Sequence, residues 1–133
     1  MDQIISKILS STKNIAVVGL SANPEKPSHD VARFMQNRGF RIIPVNPNEQ
    51  MILGERSYPS LSAIPFEIDL VNIFRKPEDC GELVAEATQL KVKHIWLQLG
   101  IVNEEAQAIA EQAKIDFVMN YCLKIEYLRL HNA

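Results

Sequence analysis

Five short apolar runs limit what this chain can become. They are Asn14–Leu20, Phe40–Val45, Ile68–Phe74, Val92–Leu99 and Ile115–Met119. Each is strand-length, and each ends at or near a glycine, proline or asparagine: Gly19, Asn46-Pro47, Pro77, Gly100 and Asn120. Runs of this length with no polar alternation are expected of strands buried on both faces. Between them lie stretches with helical spacing. Ile4, Ile5, Ile8 and Leu9 share a face within Gln3–Ser11, so residues 1–13 form an N-terminal helix. Ser28 offers an N-cap for a helix running to about Arg38, which Gly39 would stop. Pro77 suits the first turn of a helix to Leu90, and Asn103 caps another to Lys114 with Glu104 and Glu105 in its first turn. A last helix spans Tyr121–His131. The stretch Met51-Ile52-Leu53-Gly54 reads as a short extended piece, and Ser60–Ile64 as a helical turn.

Alternation of this kind predicts an α/β fold: a doubly wound parallel sheet of about five strands with right-handed crossovers and helices on both faces, Rossmann-like. At 133 residues the chain suits a single domain, 1–133. Its 47% hydrophobic and 23% charged residues are a globular balance. A net charge of -2 gives no positive field of the kind non-specific nucleic-acid binding needs, so no nucleic-acid partner is expected. No apolar run approaches the roughly 18 residues of a membrane helix, so no membrane partner is expected either. The start, Met1-Asp2-Gln3-Ile4-Ile5-Ser6-Lys7, lacks the apolar core of a secretory signal. Cys80 and Cys122 stand far apart and make neither a disulfide framework nor a zinc site. A reduced, cytoplasmic protein is the expectation.

In an open parallel sheet, ligands sit beyond the carboxyl ends of the strands. The first loop there, Gly19-Leu20-Ser21-Ala22-Asn23, leads toward the helix start at Ser28. Such a start has unpaired amides and about half a positive charge, which suits a phosphate. Gly19 would let the backbone come close, Ser21 and Ser28 carry hydroxyls, Lys26 adds a charge, and Arg75 from the third loop can fork onto phosphate oxygens. This phosphate-binding loop is neither a GxGxxG fingerprint nor a Walker A loop. An NAD-binding domain usually has an acid after the second strand; here the residues are Val45-Asn46-Pro47, with no carboxylate before Glu49.

These stretches match a known family. Val17-Val18-Gly19-Leu20-Ser21 with Lys26-Pro27-Ser28, Val45-Asn46-Pro47, Ile73-Phe74-Arg75-Lys76-Pro77, Trp96–Ile101 and Cys122–Glu126 occur in the order found in stand-alone CoA-binding domain proteins. The chain resembles that family from about Asn14 onward. More distantly, it is similar to the CoA-binding domain of the succinyl-CoA synthetase alpha subunit. The resemblance implies coenzyme A or an acyl-CoA as the nucleotide ligand, lying on the carboxyl edge of the sheet. It puts Gly19, Leu20, Ser21 and Ser28 around the pyrophosphate, and Asn46 and Pro47 near the adenosine. Phe74, Arg75 and Pro77 then line the adenine and phosphate side, with Gln98 and Gly100 facing the ligand from the fourth loop. Two departures stand out: Lys26 where the family often has arginine, which keeps the charge without the fork, and Asn120-Tyr121 where it often has Asp-Arg.

Catalysis stays open, with a non-catalytic binding or sensor module favoured. His29 lies in the first turn of the binding helix, where capping or exposure is the commoner role; His94 starts a strand and His131 lies near the C-terminus. Cys122 could meet a ligand thiol, although buried inert cysteine is commoner. Cys80 reads as structural and Trp96 as core. The alternatives are an NAD(P)-dependent oxidoreductase-type domain and an interaction module that has lost its ligand. Neither protein partner nor acyl group is legible.

Overall fold

The computed structural model describes residues 1–131; the last two residues of the expected 1–133 domain, Asn132 and Ala133, lie outside the described residues. In chain order the elements are α1 (Asp2–Ser11), β1 (Asn14–Val18), α2 (Pro27–Asn37) and β2 (Arg41–Val45), then a two-stranded hairpin of β3 (Met51–Ile52) and β4 (Glu55–Arg56). After a 3-10 turn at Leu61–Ala63 come β5 (Leu70–Ile73), a second 3-10 turn at Pro77–Asp79, α3 (Cys80–Gln89), β6 (His94–Leu97), α4 (Glu104–Gln112), β7 (Asp116–Val118) and α5 (Leu123–His131).

Five strands form one sheet in the order β2-β1-β5-β6-β7, and every pair in it is parallel. The Rossmann-like, doubly wound architecture expected from the alternation is thus present. From β1 the chain steps outward to β2, then crosses back to β5 on the other side. The β1–β5 boundary is therefore the switch point, where loops diverge and leave a crevice.

Burial on both faces explains the unalternating strands. Ile15 and Val17 of β1 face one layer with Ile5 and Ile8 of α1, Val31 and Met35 of α2, and Leu123 of α5. Ala16 and Val18 face the opposite layer, with Val84 and Ala87 of α3 and Ala106 and Ala110 of α4. Each fully buried large side chain contributes about 1.5–3 kcal/mol relative to exposure. Trp96 belongs to the first layer, and its indole N–H donates to the Tyr121 carbonyl at 2.8 Å. It is a core residue that ties β6 to the segment before α5.

Two local expectations need correction, those for Ser28 and for the start of the last helix, and a third, the extended piece at Met51–Gly54, gains a partner strand. Ser28 is not the N-cap of α2; Lys26 holds that position without a side-chain cap bond, and Pro27 opens the helix. Proline fits there because its fixed φ is already helical and its missing N–H would have had no partner. The piece at Met51–Gly54 is the first half of a hairpin, turned by Leu53 and Gly54 at φ 57° and 76°. The last helix begins at Leu123, two residues later than its periodicity suggests.

At the amino ends of the strands, two acids hold the layers together. The Asp69 carboxylate accepts the Lys13 and Asn14 N–H groups at 2.9 and 3.1 Å and pairs with Lys93 at 3.3 Å. Burial pushes its carboxyl up, but those donors outweigh burial and hold it below the ordinary range. Nearby, buried His94 sits between Ser11 Oγ at 2.9 Å and Asp116 at 3.1 Å. Burial lowers its pKa, against the opposing pull of Asp116.

Candidate functional site

Gly19 closes β1 at φ 86°, a conformation that side chains disfavour. A Cβ built there would collide with the Phe74 carbonyl and lie 3.1 Å from Arg75 Cδ. The glycine therefore lets the loops after β1 and β5 approach each other at the switch point. Its closest constraint is protein backbone, where the sequence suggested a ligand.

Beyond Gly19 the loop is braced from within. Ser28 Oγ accepts the Ser21 N–H at 3.0 Å, and His29 Nδ1 bonds the Ser21 carbonyl at 2.8 Å. Ser21 Oγ accepts from Asn23 N–H, and Asn23 Oδ1 from Glu25 N–H, both at 3.0 Å. Asn46 adds a tie from β2: its Nδ2 donates to the Leu20 carbonyl at 2.9 Å, while its Oδ1 accepts the Asn48 N–H at 2.8 Å. His29 is buried and committed to the loop.

A cleft of about 840 Å³ opens above this switch point, a size that suits a ligand with many atoms. Of the residues singled out in the sequence, Gly19, Ser21, Lys26, Ser28, Phe74, Arg75 and Gln98 line it. Leu20, Asn46, Pro47, Pro77 and Gly100 do not. Leu20 is fully buried in the core. Asn46 acts through the loop it holds. The Pro77 carbonyl accepts from Asn103 Nδ2 at 2.8 Å, and Gly100 N–H is bound by Asn120 Oδ1 at 2.8 Å.

Sequence reasoning did not pick out several walls of the cleft as binding residues: Asp30 and Val31 from α2, Lys76, Leu99, Ile101, and Lys124 and Ile125 from α5. Cys122, weighed as a possible neighbour of the ligand, is also in the wall. The quoted stretch Cys122–Glu126 already contained Lys124 and Ile125, but nothing in the helix pattern distinguishes a cleft-facing side from a core-facing one.

The charge in the cleft is mostly positive. Arg75 pairs with Asp79 at 3.1 Å and Lys124 with Asp30 at 2.9 Å, whereas Lys26 and Lys76 make no ion pair among the described residues. Hydrogen bonding from Lys124, then from Arg33, holds the Asp30 carboxyl below its ordinary range against the effect of burial. The Arg75–Asp79 pair is half exposed, and such pairs are worth about 0–1 kcal/mol, so an incoming anion can take the guanidinium. The start of α2 lies at the same cleft with its partial positive charge; Pro27 has no N–H, and the His29 and Asp30 N–H groups bond the Lys26 carbonyl at 3.1 Å, which leaves the Ser28 N–H for an anion. Cys80 is different: burial, with Asp79 nearby, pushes its thiol up to about 11, as fits an inert core thiol. Among the described residues no cluster of His, Cys, Asp and Glu could hold a metal ion, and no helix is long and apolar enough to cross a membrane.

A parallel sheet with a cation-lined cleft at its switch point defines a Rossmann-like domain with a candidate anion site. More specifically, the chain belongs to the CoA binding domain family, whose pattern it matches over residues 13–128. It is 39% identical over 123 residues to the uncharacterized protein YneT of Bacillus subtilis, covering 92% of this chain and 91% of that one. A hypothetical protein from Pyrococcus horikoshii OT3 has the same structure with a TM-score of 0.93 at 36% identity, over 98% of this chain and 92% of that one. The chain is also 34% identical over 101 residues to an ADP-forming acetate–CoA ligase of Archaeoglobus fulgidus. That match covers 74% of this chain but only 15% of the ligase.

Proposed function

We propose that this protein binds coenzyme A or an acyl-CoA in the cleft at the β1–β5 switch point, as a non-catalytic binding or sensor module in the cytoplasm. The observation that carries this reading is the convergence of the α2 start with Lys26, Arg75 and Lys76 on one cleft, in a chain of the CoA-binding domain family. The diphosphate would lie against Ser21 and the N–H and hydroxyl of Ser28 at the start of α2, with Lys26, Arg75 and Lys76 countering its charge. Lys26 and Lys76 lack protein partners among the described residues, so they are available to an anion. A binding role also fits the histidines: His29 is spent on the Ser21 carbonyl, and His94 lies at the opposite end of the strands.

Calorimetric titration with CoA, acetyl-CoA and NAD tests the reading. CoA and acetyl-CoA should bind, NAD should bind far more weakly, and Arg75→Ala should weaken CoA about tenfold. No heat with either CoA species at millimolar concentration would overturn it.

A further inference from the structure

The cleft has two chemically distinct sides. Sheet order puts the loops after β1 and β5, with Lys26, Arg75 and Lys76, on one side of the cleft and the segment after β6 on the other. The start of α5, after β7, closes the cleft between that segment and α2, where Lys124 meets Asp30. This second side is walled by Leu99, Ile101, Cys122 and Ile125. Leu99 is 59% exposed and Ile125 53% exposed. Val102 and Tyr121, on the same two segments, are 45% and 37% exposed, so among the described residues half of the eight exposed large hydrophobic ones follow β6 or β7. Isolated exposed apolar side chains need no explanation, but a group of them beside a cleft marks a place where something apolar binds.

Polar groups on this side narrow the choice. Lys124 is engaged by Asp30 at 2.9 Å. Gln98 is 6% exposed, and its Oε1 accepts from Asn72 Nδ2 at 3.4 Å and Leu123 N–H at 3.3 Å. Its Nε2 makes no hydrogen bond among the described residues, and the residue lines the cleft. This side chain can therefore offer a donor, while its acceptor is already used. An adenine ring could accept at a ring nitrogen, but its amino group would find no free acceptor on Gln98. A thioester carbonyl only accepts, and an alkyl chain asks for nothing but apolar surface.

We infer that the β6–β7 side of the cleft is an acyl subsite, which takes a CoA thioester with an alkyl chain of several carbons. Its carbonyl accepts from Gln98 Nε2, and its chain lies on Leu99, Ile101 and Ile125. This inference rests on the proposed CoA reading and names the ligand class of that same site.

Calorimetry with CoA and with acetyl-, butyryl- and hexanoyl-CoA tests it. Affinity should rise roughly two- to fourfold for each methylene that leaves water. Leu99→Asp and Ile125→Asp change side chains that are more than half exposed, so the fold should tolerate them. Each should abolish the chain-length gain, read as the ratio of hexanoyl-CoA to free CoA affinity within the same variant, so that any effect of the new charge on CoA itself cancels. If CoA binds but the series is flat, or the Asp variants keep the gain, the acyl subsite is wrong and the CoA reading stands. If none of the four ligands binds, both fall together.

Discussion

Gly19 lies so close to the carbonyl of Phe74 that no side chain fits between them. The loops leaving β1 and β5 meet at this contact, and it shapes the floor of the cleft. Alanine would bring both a collision with backbone and a positive φ of 86°. Gly19→Ala should therefore cost about 2–3 kcal/mol of stability. Urea denaturation would measure this, and a loss of under about 0.5 kcal/mol would show that the two loops can simply part.

Ser28 takes part in the loop's brace rather than capping its helix. Ser28→Ala leaves the Ser21 N–H without its acceptor and should cost about 1 kcal/mol. Because that amide also borders the proposed diphosphate site, CoA affinity should fall about five- to tenfold. Ser28→Thr, which keeps the hydroxyl, should recover most of it. Titrations of the two variants side by side would separate loss of the hydroxyl from general damage.

The unpaired cations should act mainly through long-range charge. Lys26→Gln and Lys76→Gln should each weaken CoA binding several-fold at low salt and flatten its salt dependence, with stability changed by less than about 0.5 kcal/mol. Isotherms at two salt concentrations and one thermal melt per variant would decide it. A full affinity loss that ignores salt would point to a direct structural role.

Acid should loosen the end of the sheet remote from the cleft. His94 has a pKa below its ordinary 6.5 because burial disfavours its charge. The unfolded chain thus binds the proton more readily than the folded one. The resulting stability is fully present above about pH 6.5 and is lost as pH falls through and below that value. Asp69, also lowered, adds a second loss as pH falls through and below its ordinary 3.8. Urea melts from pH 8 to 5 should show declining stability, and His94→Gln should have a shallower slope over this range. An unchanged slope would assign the decline to other groups.

Much of the cationic end of the cleft was legible in the sequence. Gly19, Ser21, Lys26 and Arg75 lie in loops that directly follow buried runs or precede a helix, and Ser28 lies in the first turn of α2, so local pattern alone locates them. The other end was not. Ile125 looks like any apolar helix residue, and its periodicity is equally consistent with burial; it is 53% exposed because α5 packs through Leu123 instead. Asn46 shows the converse. The family resemblance put it near the adenosine; what no sequence pattern recorded is that both polar atoms of its side chain are bound to protein, with the Leu20 carbonyl and the Asn48 N–H as partners.

By itself, the sequence determined the alternation of strands and helices, the burial of the strands on both faces and the loops at their carboxyl ends. These follow from side-chain spacing and turn residues, which act over a few positions. Only the tertiary structure decided the strand order β2-β1-β5-β6-β7, and hence that Gly19 would face Phe74 and that α5 would supply a wall of the cleft. The β1–β5 pairing and the Gly19–Phe74 contact join residues 55 positions apart, and all these relationships depend on how helices share the two faces of one sheet, which no local pattern records.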